Sequence, residues 1–201
     1  MIHTVAARPR SQATRLLHLT LLLAVLFQLA SSQFIYFPMP GDPPTLLFTL
    51  HEYLGLTSIA ILGAFWLWTL IRHGETRLGR LIPWFSAPRL RAVWGDARAQ
   101  LRRLARFQAP DDADGALASA VHGLGLLAVS AMVLTGTVFF VARGTPLSHI
   151  AMSGHKLIAN LVWAYLFAHA GLAILHHLLG SDIFARMFWP RHARPERTPA
   201  E

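Results

Sequence analysis

Four apolar stretches, at 16–37, 46–71, 116–142 and 155–179, constrain this chain more than anything else in it. About 20 apolar residues are needed for a helix to cross about 30 Å of hydrocarbon. Backbone polar groups at that depth must be satisfied within the segment, which selects helices. No charged residue interrupts the third stretch, and Glu52 and Lys156 sit near the starts of the second and fourth. Only 14% of residues are charged and 54% are hydrophobic, where a soluble domain carries about 25% charge. The expected fold is all-α: an integral membrane four-helix bundle formed as a single membrane domain over 1–201.

The arginines orient this bundle. Of eighteen lysines and arginines, all but Arg143 and Lys156 fall before the first stretch, between the second and third, or after the fourth. Positive charge is retained on the cytoplasmic side, so both termini and the long loop are expected in the cytoplasm of a bacterial cell, with the bundle multi-pass in its inner membrane. The net charge of +8 would suit nucleic acid in a soluble chain, but this hydropathy argues against that partner. Within the loop, at about 88–108, Leu90, Val93, Trp94, Ala97, Leu101 and Leu104 recur at helical spacing with arginines on other faces. This predicts a cytoplasmic amphipathic helix between helices two and three, lying on anionic lipid. Residues 38–44 are rich in proline and glycine and read as an external turn. The arginines, apolar run and Ala30-Ser31-Ser32 near the N-terminus also resemble a cleavable signal. The apolar run reaches Phe37, long for a signal core of 7–15 residues, so a retained helix is expected.

Histidine among lipid tails is costly and marks a functional site by default. His18, His51, His155 and His169 all fall within or at the edges of the apolar stretches. His155 and His169 are fourteen residues apart, which advances a helix about 21 Å and returns it to within about 40° of the same face. One helix thus offers two ligands near opposite membrane faces, the arrangement expected for two stacked haems. Depth pairs His51 with His155 at an outer site, and His169 with either His18 or His122 at an inner one. Cofactor sites built from facing helices are common in bundles. The chain has no cysteine, which excludes disulfides, thiolate metal sites and covalent c-type attachment, so any haem must be held non-covalently, as b-type. Two imidazoles leave no open position on iron, favouring electron transfer over oxygen binding. Zinc would need its ligands clustered at one depth, and these are split between two.

His176 shares roughly the face of His169 and is a candidate for a haem propionate or a quinone pocket, or is an interfacial residue. Glu52 is a candidate proton relay or a snorkelling carboxylate. Arg143 and Lys156 are candidates to pair with outer haem propionates or to attract an anion at the outer face. His3, His73, His149 and His192 read as solvated.

These residues resemble the bacterial cytochrome b561 family and the related b-type cytochrome subunits of nickel–iron hydrogenases. The likeness is clearest over 154–188, in His155, His169, His176-His177 and the run Ser181-Asp182-Ile183-Phe184-Ala185-Arg186-Met187. Leu17-His18, Leu50-His51, Leu117 to His122, and Gly136 occupy matching places. The resemblance implies four helices holding two b haems, with ligands from helices one, two and four. It assigns His51 and His155 to the outer haem, and His18 and His169 to the inner, leaving His122 as a neighbour of the inner haem or of a quinone. Electron transfer across the membrane, to or from the quinone pool or a partner redox protein, is the implied function. Two alternatives are a superoxide:ubiquinone oxidoreductase and a haem-bearing membrane anchor subunit of a dehydrogenase or hydrogenase.

Overall fold

The computed structural model describes residues 10–38, 41–73, 75–106, 108, 115–179 and 183–188. His3, His192 and Ser181-Asp182 lie outside the described residues. Seven helices are present among those described: α1 (Gln12–Ser31), α2 (Leu46–Ile71), α3 (Leu78–Leu81), α4 (Ala87–Ala105), α5 (Ala116–Val141), α6 (Pro146–Leu178) and α7 (Ile183–Phe188). Four of them, α1, α2, α5 and α6, are long and apolar enough to cross a membrane.

Local polar chemistry sets the starts of α1 and α2. The Ser11 hydroxyl accepts from Thr14 N at 3.2 Å and starts α1, as N-cap residues do. The expected first span, 16–37, is corrected at both ends. The helix begins four residues earlier and stops at Ser31. There Ser31 Oγ donates to the Gln28 carbonyl at 3.1 Å and Ser32 Oγ to that of Leu29 at 2.7 Å. The apolar residues beyond pack as an irregular strap, with Phe37 edge-on to Phe48 and Phe139. Helix α2 starts at an N-cap formed by Thr45, which accepts from Phe48 N. Helix α6 begins at Pro146, nine residues before the expected 155. Proline suits the first helical position, where its missing N–H costs nothing. At about 1.5 Å per residue its 33 residues span about 50 Å, more than the hydrocarbon alone requires.

The bundle packs α1 on α2, α2 on α5, and α5 on α6. Its centre is aliphatic: Leu29, Leu62, Leu126, Val129 and Val162 are buried together. Polar bridges tie neighbours at depth, Trp66 Nε1 to Ser130 Oγ at 3.0 Å and Gln28 Nε2 to the His51 carbonyl at 3.0 Å. Large side chains such as Leu23, Leu67, Leu134 and Phe167 point outward and are exposed, an outer surface suited to lipid rather than water.

The arginine-rich connection folds back onto the bundle. Gly123 lets the Leu81 carbonyl sit against α5, where a Cβ would overlap it. Helix α4 occupies the segment expected to be amphipathic and packs on α5. Asp96 Oδ2 accepts from Leu117 N at 2.8 Å and so caps α5, whose own N-cap is a glycine. Trp94 and Leu101 of α4 are exposed, with the Arg98 guanidinium 4.9 Å above the Trp94 ring.

Glu75 joins α1 to the segment after α2. Its carboxylate accepts from Ser11 N at 2.9 Å and from the Thr14 hydroxyl at 2.7 Å. Burial alone would raise its pKa, but those hydrogen bonds and the charge of Arg72 outweigh burial and hold it below the ordinary 4.5. Folded Glu75 is therefore harder to protonate than unfolded Glu75. Its contribution to stability is full above that value and is lost as pH falls through the lower folded value. Glu75→Gln is expected to be less stable at neutral pH and to lose less on acidification than the parent. Thermal unfolding in detergent from about pH 7 to pH 3 measures both.

Candidate haem-binding site

Two cavities lie along the bundle. The larger, about 570 Å³, lies towards the start of α2 and the end of α5, and is lined by both His51 and His155. The smaller, about 170 Å³, lies towards the arginine-rich connection, and is lined by His18, His122 and His169. Leu21, Val25, Val129 and Val162 border both, an aliphatic partition between the two groups of imidazoles.

In the larger cavity each ring is held by its Nδ1. Ser31 Oγ lies 2.8 Å from His51 Nδ1. With its own proton turned to the Gln28 carbonyl, that hydroxyl is placed to accept from a His51 Nδ1–H. His155 Nδ1 lies 3.1 Å from the Met132 carbonyl, which can only accept. Thr135 Oγ1 approaches the same nitrogen at 3.1 Å. Both rings thus leave an Nε2 lone pair for a metal, the usual outer arrangement of a ligating histidine. Gly136 passes closely beneath His155, where a Cβ would stand 3.1 Å from Cε1. Loss of such a partner typically costs 10–100-fold in metal affinity. Ser31→Ala is accordingly expected to weaken haem binding at His51 by at least about tenfold, read by haem titration of the apoprotein.

The mouth of this cavity carries Glu52 and Lys156 among its lining. Glu52 is paired with Arg143 from the α5–α6 connection, and Arg143 also lies over the Phe139 and Phe140 rings. The Lys156 ammonium is 5.9 Å from the Phe37 ring centre.

The smaller cavity brings together three imidazoles rather than two. His169 stacks on Tyr165 at 5.4 Å and meets His122 edge-on at 5.0 Å. Gly125 makes room for the Tyr165 ring. His122 Nδ1 is 2.6 Å from the Ala118 carbonyl, four residues back on its own helix. His18 Nδ1 is buried with no hydrogen-bond partner among the described residues. An open imidazole nitrogen beside two further imidazoles is a donor set that fits haem iron. Among the described residues no group of three or more His, Asp or Glu is set to hold a bare metal ion.

The description of prokaryotic cytochrome b561 matches residues 10–190. The chain belongs to the prokaryotic cytochrome b561 family. The cytochromes b561 are b-type haem proteins of bacterial membranes that serve electron transfer, and this cytochrome has four helices long and apolar enough to cross a membrane. No similar curated protein and no similar solved structure was found.

His176 of the cytochrome is buried near the end of α6 but is not among the residues lining either cavity. His73 and His149 are exposed. The residues that hold His51 and His155, namely Ser31, Met132 and Thr135, went unread in the sequence. Ser31 resembled part of a cleavage site, and a carbonyl leaves no trace in side-chain identity. Thr135-Gly136, at the depth of His155 on the neighbouring helix, was the one readable signal.

Proposed function

We propose that the chain is a di-haem cytochrome that carries electrons across the inner membrane. His51 and His155 hold the outer haem, and His18 and His169 the inner. A b haem gripped by two imidazoles exchanges one electron at a time and keeps no open coordination position. The observation that carries this reading is the division of the histidines between two cavities stacked along one bundle and parted by aliphatic side chains. The protein's part is to hold the His51 and His155 rings through their Nδ1 and to exclude water from the space between the ligands of each pair. His122, in contact with His169, lines the inner pocket without ligating. His176 lies below it.

The arginine-rich end is cytoplasmic, with both termini, by the positive-inside rule. There α4 rests on anionic lipid through Trp94 and Leu101, its arginines reaching the headgroups. Quinone, or a partner redox subunit, exchanges electrons with the haems. The superoxide:ubiquinone alternative draws on the outer cations Arg143 and Lys156. One of these is paired with Glu52, which weakens the field that would gather an anion. The anchor-subunit alternative would dock a dehydrogenase or hydrogenase on the same connections.

Full-length protein purified in detergent is expected to carry two b haems per chain and to titrate in two one-electron steps. A single haem, or none, overturns the two-site reading.

A further inference from the structure

A buried cation at the cytoplasmic mouth of the smaller cavity has no role in the reading above. Arg72 follows α2 directly and lines that cavity beside Arg10, Thr14, His18 and Thr76. Its side chain is only 6% exposed. Nη2 donates to the Thr76 carbonyl at 2.9 Å, and Nη1 is 3.6 Å from Glu75 Oε2. Its Nε is buried and has no acceptor among the described residues. The only contact between Glu75 and this guanidinium is the long one at Nη1, and its oxygens accept at shorter range from Ser11 N and the Thr14 hydroxyl. Arg10 Nη1 reaches Thr76 Oγ1 at 3.5 Å, so two guanidiniums converge on this corner. Burial presses the Arg72 pKa below its ordinary value, opposed by Glu75 and reinforced by Arg10, yet a guanidinium stays charged. Burying an incompletely paired charge is costly, and a forked donor set of this kind matches a carboxylate.

We propose that Arg72, steadied by Thr76 and assisted by Arg10, is a seat for a carboxylate at the cytoplasmic mouth of the smaller cavity, and that its occupant is a propionate of the inner haem. This rests on the reading that His18 and His169 hold a haem there. A porphyrin's two carboxylates cannot remain in the aliphatic partition, so they turn towards the polar end. Arg10 and Arg72 are the only lysine or arginine side chains lining this cavity among the described residues.

The test compares the full-length cytochrome with Arg72→Gln, each loaded with haem or with haem dimethyl ester, whose carboxylates are blocked. With haem, Arg72→Gln is expected to speed inner-haem dissociation about tenfold. It also lowers the inner midpoint potential by about 59 mV, a tenfold change in a one-electron equilibrium. The potential falls because removing a cation favours the ferric state. With the ester, the substitution changes dissociation less than about threefold. The outer haem, unchanged throughout, reports that the variant is folded. If the variant does not fold, faster loss of ester than of haem from the parent inner site still supports the seat, and equal loss overturns it. An equal effect of Arg72→Gln on haem and ester assigns the seat to a free anion such as phosphate and overturns the propionate. No effect on either overturns the seat itself. A chain that binds no haem overturns the di-haem reading, and this inference with it.

Discussion

His169→Ala is expected to remove one haem of two while leaving the other spectroscopically intact. His169 lines only the smaller cavity, and the larger one keeps His51 and His155 with their Nδ1 partners. The partition of Leu21, Val25, Val129 and Val162 stands between them, so loss on one side need not spread. Haem content by the pyridine haemochrome assay, together with reductive titration, measures the change. The same assay on His18→Ala and His122→Ala separates two imidazoles that both reach the smaller cavity. His18→Ala should lose the inner haem. His122→Ala should keep both haems with a shifted inner potential, because its ring touches His169 without replacing it. Retention of two haems in His169→Ala overturns the inner assignment. Loss in His122→Ala with retention in His18→Ala transfers the ligand role to His122.

Gly123→Ala is expected to be the most destabilising small substitution in α5. A Cβ there would overlap the Leu81 carbonyl, part of a backbone that cannot rotate aside as a side chain can. The short helix α3 and the buried Leu81 and Pro83 would have to lift away from α5. Overpacking of this kind typically costs about 1–3 kcal/mol. Gly63→Ala is the control, because a Cβ at that position of α2 meets nothing within 4 Å. Thermal unfolding of the two variants in one detergent should show a clear drop for the first and little change for the second. Equal midpoints would mean that α3 does not pack on α5 as described.

The spans were legible in the sequence because a membrane helix is a local decision. Twenty apolar residues must satisfy their own backbone bonds wherever the neighbouring helices lie, so 46–71 and 116–142 read nearly as they fold. Histidine depth was legible for the same reason, since rise per residue converts spacing into height. Helix ends were less so. Apolarity carried the first span through Phe37, but the helix ends at Ser31, and the apolar residues beyond it pack as an irregular strap. Pro146 opens α6 well before its long apolar run begins.

What only the tertiary structure decided is lateral: which side chain of one helix meets which of the next. Ser31 reaches His51 across the α1–α2 connection, Met132 offers His155 a carbonyl from α5, and Arg72 comes to the same cavity as His18 and His169. Rotation of each helix about its own axis is set by packing against its neighbours. A chain whose helices are apolar nearly all round carries little of that rotation in its periodicity. Height above the membrane plane was therefore written along the chain, while the partners at each height came from the bundle.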